Sequence, residues 1–156
     1  MVERNLIAID LTEREREFIA RALYERQGSA SWTPLPIDAL GLSDWDEFDA
    51  LIDRLRDAVT RGDPLTDLDW ARALFLTEIT WASDLVGAGT DFSIVSGFSD
   101  AEGITVLRSL QRKISHWRRA ELLFPGRARP RDTEELRRET DKMLNESRNR
   151  TYPGGF

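Results

Sequence analysis

A chain of 156 residues, 40% of them hydrophobic, is long enough to bury a core as one domain, so it needs neither a metal nor a disulfide as a staple. It contains no cysteine, which excludes thiolate nucleophiles, disulfides and cysteine-based zinc sites. Its formal charge of −6 is divided by position: residues 1–107 carry 9 Arg and Lys against 21 Asp and Glu, a net of −12, whereas residues 108–131 carry 8 against Glu121 alone, a net of +7.

In chain order, the short apolar run of residues 6–9 follows Glu3 and Arg4; it is too short and wrongly flanked for a signal peptide or a membrane span, so a cytoplasmic protein with no membrane partner is expected. Thr12 with Glu15 forms a capping box, and Gly28 supplies a stop, predicting a first helix over 13–27. Pro34 and Pro36 force an irregular connection with one short helical turn at 37–40. Ser43 with Asp46 opens a second helix that ends before Gly62, with Trp45, Phe48, Leu51, Ile52, Leu55, Ala58 and Val59 on one apolar face. Thr66 with Asp69 opens a third, running to Val86 and stopped by Gly87, Ala88 and Gly89; it is apolar over most of its circumference and so is expected at the centre.

Residues 90–98 are rich in aromatic and β-branched side chains, predicting an extended segment that pairs with residues 6–9 in a small two-stranded β ribbon. Ser99 with Glu102 opens a fourth core helix in which Leu107, Leu110, Ile114 and Trp117 share a face. The expected fold is therefore mainly α, a compact bundle of four to five helices in a core domain of residues 1–125. Residues 126–156 read as a basic connector, a polar helix over 132–149 with only Leu136, Met143 and Leu144 as large apolar residues, and a flexible tail from 151 onward.

Few residues suggest chemistry. Glu78 falls in the apolar arc of the third helix, near Leu74, Phe75, Trp81 and Leu85, and is expected to be a buried structural carboxylate held by an Arg or an indole N–H. His116 is the single histidine and sits among Arg112, Lys113, Arg118 and Arg119, without further ligands at metal-binding spacing and without an acid to orient it. Residues 44–49 have the acids of a calcium loop but lack the glycine at its sixth position. Gly87, Ala88, Gly89 and Thr90 follow a helix and lack the Lys-Ser/Thr pair of a phosphate loop. No catalytic constellation, cofactor or metal site is predicted.

Surface charge is more informative. Asp46, Asp49, Asp53 and Asp57 fall within an arc of about 80° on the second helix, opposite its apolar face, with only Arg56 and Arg61 to compensate. Arg108, Arg112, Lys113, Arg118, Arg119, Arg127, Arg129 and Arg131 form the opposite patch, with Trp117 and Phe124 nearby. The 20 arginines against 2 lysines fit coding bias of a GC-rich bacterial genome, which weakens them as a recognition signal. Residues 37–55 have a helix-turn-helix outline, but the would-be recognition helix opens with Asp44, Asp46 and Glu47, which repel phosphate. The expectation is a noncatalytic interaction module, an acidic inhibitor or immunity-type protein whose face of Asp46, Asp49, Asp53 and Asp57 covers a basic partner such as a toxin or nuclease. The alternative is a nucleic-acid-associated regulator acting through 108–131. A third reading is a homodimer that sets the basic segment of one copy on the acidic helix of another.

Overall fold

A computed structural model describes residues 5–130 and 132–149, and among these it is mainly helical. The chain divides into two units, residues 1–126 and 127–156. The first contains α1 (Glu13–Glu25), α2 (Trp45–Arg61), α3 (Asp67–Ala82), α4 (Phe92–Ser96), α5 (Asp100–Ile114) and α6 (Trp117–Leu123); the second contains α7 (Thr133–Asn149).

Helix α1 begins where its capping box requires. Thr12 Oγ1 accepts from the Glu15 amide at 3.1 Å and Glu15 Oε2 accepts from the Thr12 amide at 3.0 Å, which satisfies two otherwise orphaned donors. Its face of Phe18, Ile19, Ala22 and Leu23 is completely buried, and it packs against α2, α3 and α5. Phe18 meets Phe92 and Phe98 with ring centroids 5.4 and 5.0 Å apart. Helix α3 also packs on α5 and α6, and Trp70, Leu74 and Leu76 extend the core from it. The amino-terminal segment is pinned by a single antiparallel bridge between Ile7 and Leu65 and by the Trp70 indole, which donates to the Ile7 carbonyl at 2.8 Å.

The structure departs from the sequence expectations at several places. Helix α2 is capped one residue later: Asp44 accepts from the Glu47 amide at 2.8 Å while the Glu47 carboxylate accepts from the Ser43 amide at 2.7 Å. Helix α3 stops at Ala82, so Leu85 lies outside it and is solvent-exposed. Residues 90–96 are helical, not extended: a tight turn over Gly89–Asp91 leads into α4, which places Phe92 on Phe18 and leaves Ile94 outside, and the chain then turns at Gly97, φ +74°, to bring the non-helical Phe98 onto the same ring. The predicted partner of residues 6–9 is thereby removed, and Ile7 pairs with Leu65 instead. The fourth predicted helix breaks at Ser115 and His116, both extended; His116 Nδ1 accepts from the Arg118 amide at 3.2 Å and so caps a separate α6. Trp117 consequently leaves the apolar face of α5. In the second unit, Asp132 Oδ1 accepts from the Glu134 amide at 3.1 Å at the start of α7. The expected flexible tail and Arg131 lie outside the described residues.

Candidate functional site

Helix α2 builds one charged face. Phe48, Leu51, Ile52, Leu55, Ala58 and Val59 are buried, which turns the opposite side outward and leaves Asp46, Asp49, Asp53 and Asp57 all exposed. Trp45, Asp49, Asp53 and Asp57 recur at intervals of four residues, so they form one row about 18 Å long at 1.5 Å per residue. Helical period places Trp45 on the apolar face, but its indole is 47% exposed and touches Phe48 edge-on at 5.4 Å. Gln27 at the end of α1 lies alongside, donating to Asp53 Oδ1 at 3.2 Å and to the Asp49 carbonyl at 3.3 Å.

The arginines of α2 make no ion pair with this row and are engaged by other groups. Arg56 lies over the Tyr24 ring, 5.3 Å from its centroid. Arg61 Nε donates to Asp63 at 2.9 Å. Arg54 binds Asp69 with both terminal nitrogens, at 2.6 and 3.1 Å, and those hydrogen bonds raise its pKa above the ordinary guanidinium value. Among the described residues, none of Asp46, Asp49, Asp53 and Asp57 has an ion-pair partner.

The basic segment is less uniform than its sequence suggests. Lys113 is committed inward, to Glu15 Oε2 at 2.7 Å. Arg119 is half-buried and bridges Asp67 at 2.8 Å and the Ile114 carbonyl at 2.7 Å. Arg108 donates to Gln111 at 2.7 Å. Arg112 and Arg118 are exposed on the first unit; Arg127 and Arg129 are exposed on the second. Trp117, which the sequence places in the core, is 57% exposed, stacked on His116 at 5.9 Å with the Arg118 guanidinium 5.3 Å from its ring.

Glu78 is half-buried rather than buried, and its Oε2 accepts from Gln111 Nε2 at 2.7 Å; the bend of the chain after α3 removes Leu85 from the arc expected to enclose it. The buried acids are elsewhere. Glu15 accepts from Thr12, Ser109 and Lys113; burial pushes its carboxyl up, but the bonds from Lys113, Ser109 and the Thr12 amide outweigh burial and hold it below the ordinary value. Glu25 accepts from the Ser29 amide and hydroxyl and pairs with Arg21 at 3.3 Å. A helical wheel would have found both, since Glu15 is three residues before Phe18 and Glu25 three after Ala22 on the same buried stripe. Arg26 is also buried, donating to the Val86 carbonyl and to Thr33 Oγ1, and burial lowers its pKa.

Among the described residues, no group of three or more His, Asp or Glu is placed to hold a metal ion. Among them, too, no helix is long and apolar enough to cross a membrane. In comparisons with protein-family models, with curated proteins and with solved structures, nothing matches the chain.

Proposed function

We propose that this chain is a noncatalytic interaction module of the acidic inhibitor or immunity type, which binds a basic protein through the row of Trp45, Asp49, Asp53 and Asp57, with Asp46 beside it. The observation that carries this reading is the contrast on α2: the aspartates are exposed and have no ion-pair partner among the described residues, while Arg54, Arg56 and Arg61 on the same helix are held by Asp69, Tyr24 and Asp63. A row of exposed carboxylates without ion-pair partners raises the rate of encounter with an oppositely charged surface and disfavours acidic partners. The half-exposed indole at its end supplies the kind of aromatic anchor that dominates binding energy once desolvated.

The test is capture of the partner from lysate of the source organism by the tagged protein, with and without nuclease, read by mass spectrometry. A stoichiometric basic protein that survives nuclease supports the reading. Asp49→Arg combined with Asp53→Arg should then weaken its binding by at least about tenfold; unchanged affinity would rule this face out.

A second reading, nucleic-acid binding through the basic segment 108–131, draws support from the exposed Trp117 flanked by His116 and Arg118, because an aromatic face beside a cation stacks on unpaired bases. It requires affinity for a single-stranded oligonucleotide that falls steeply with salt and is lost in Trp117→Ala. It is the weaker reading, since Lys113 and Arg119 are occupied by internal acids.

A further inference from the structure

Where the last turn of α3 meets the first turns of α5, the surface opens into a groove of about 650 Å³ lined by Trp81, Ala82, Asp84, Asp100, Ala101 and Ile104. Two glycines set its shape. Gly103 lies inside α5, where glycine is disfavoured, and a Cβ there would stand 2.5 Å from Trp81 Nε1; the indole is seated against the bare backbone and forms one wall. Gly89 adopts φ +49° and so leaves room for the Asp84 carboxylate, whose Oδ1 accepts from the Thr90 amide at 2.7 Å. One carboxylate on the rim is thus fixed in place. Neither Asp84 nor Asp100 has an ion-pair partner among the described residues.

We propose that this groove binds an organic cation, an amine carried on an apolar group, with Trp81 and Ile104 receiving the carbon and Asp84 and Asp100 receiving the charge. The chemistry discriminates among ligands. An anion is repelled by both carboxylates. A bare divalent ion needs more oxygen ligands than the groove offers, and no metal-holding group is found among the described residues. A neutral apolar ligand gains nothing from the acids, whereas an amine gains from them and from the indole face together. The groove is open to solvent on one side, and its lining is mostly apolar with a few polar groups to orient a ligand.

The experiment is a titration of the full chain, labelled with 15N, with 2-phenylethylamine and, separately, with its neutral counterpart 2-phenylethanol. Saturable shifts are expected at the Trp81 indole N–H, assigned through Trp81→Phe, and at the amides of Thr90, Ala101 and Ile104, with the alcohol binding about tenfold more weakly. Asp84→Asn with Asp100→Asn should weaken the amine by about tenfold, since the side-chain amide introduced at position 84 keeps an oxygen for the Thr90 N–H while the charge is lost. Should that pair fail to fold, Asp100→Asn alone, at an exposed position, gives the same reading. Absence of saturation in the millimolar range, equal binding of the alcohol, or affinity untouched by removing the charges would overturn the proposal. Asp49→Arg with Asp53→Arg leaves this titration unchanged, so the outcome is separate from that of the acidic row on α2.

Discussion

The Lys113 ammonium donates to Glu15 Oε2 at 2.7 Å, joining the most basic stretch of the chain to the first helix across 98 residues of sequence. This ion pair is structural, because the carboxylate is buried and accepts from Ser109 as well. It also reassigns charge. A lysine that the sequence places in a nucleic-acid-type patch is withdrawn from it, as Arg119 is by Asp67, while the aspartates on the outer face of α2 keep no such partner among the described residues. The balance of free charge therefore shifts toward the acidic face.

Glu15→Gln should lower stability by about 1 to 3 kcal/mol at neutral pH, because Lys113 loses its anion and a charge-assisted bond is exchanged for a weaker one. The pH dependence follows from direction. The folded carboxyl titrates below its ordinary value of 4.5, so its contribution is complete above that value and is lost as pH falls through the folded pKa. Urea denaturation of both proteins across this range should show the gap narrowing on the acid side of pH 4.5. A gap constant with pH would mean that the carboxylate charge contributes nothing.

Asp49→Arg with Asp53→Arg should leave the fold intact, with stability within about 0.5 kcal/mol of the parent, because both side chains are exposed. The bond from Gln27 to the Asp53 carboxylate is lost, while its bond to the Asp49 backbone carbonyl remains. Thermal melting checks this, and a large fall would make the acidic row part of the scaffold and disqualify it as a binding surface.

Gly103→Ala sets two effects against each other. Helix propensity alone favours alanine by about 1 kcal/mol. The added methyl would meet the Trp81 indole, with Nε1 at 2.5 Å and Cε2 at 3.1 Å, and overpacking of a rigid ring costs about 1 to 3 kcal/mol. The expected result is a net loss of about 1 kcal/mol in chemical denaturation. A gain would mean that the indole moves aside freely, and the wall of the groove would then lose its rigidity.

The parts of the fold legible in sequence were those encoded locally. The capping box at Thr12, the glycine end at Gly62 and the buried face from Phe48 to Val59 each depend on residues within one or two turns, whereas at Ser99 only the hydroxyl cap forms, because the Glu102 carboxylate is taken by Arg14. Residues 92–98 misled because aromatic and β-branched content is a preference for packed surroundings, and Phe92 in α4 and Phe98 just after its glycine end obtain those surroundings from Phe18. Trp117 misled because the break at Ser115 and His116 rests on a histidine acting as a cap, which rephases the following turn. The outward position of Asp46, Asp49, Asp53 and Asp57 needed only helical period, whereas Trp45, assigned by the same period to the apolar face, is half-exposed. What could not be read was which cations remain free, since Arg54 finds Asp69 and Lys113 finds Glu15 through tertiary packing.

Arg26 provides the sharpest test of the interior. Its guanidinium is buried, its hydrogen-bond partners are the Val86 carbonyl and Thr33 Oγ1, and Nε has no partner. No ion-paired carboxylate among the described residues offsets the loss of water around this charge, so the residue holds the chain after α3 against α1 at a desolvation cost. Arg26→Ala removes both the tether and the packed stem, and should destabilise by about 2 to 4 kcal/mol. Arg26→Met restores most of the volume without the charge, and should recover at least half of that loss, because an unpaired buried cation is strongly destabilising. If Met proves as damaging as Ala in denaturant titration, the bonds to Val86 and Thr33 outweigh the desolvation they oppose, and the tether itself is what the buried arginine supplies.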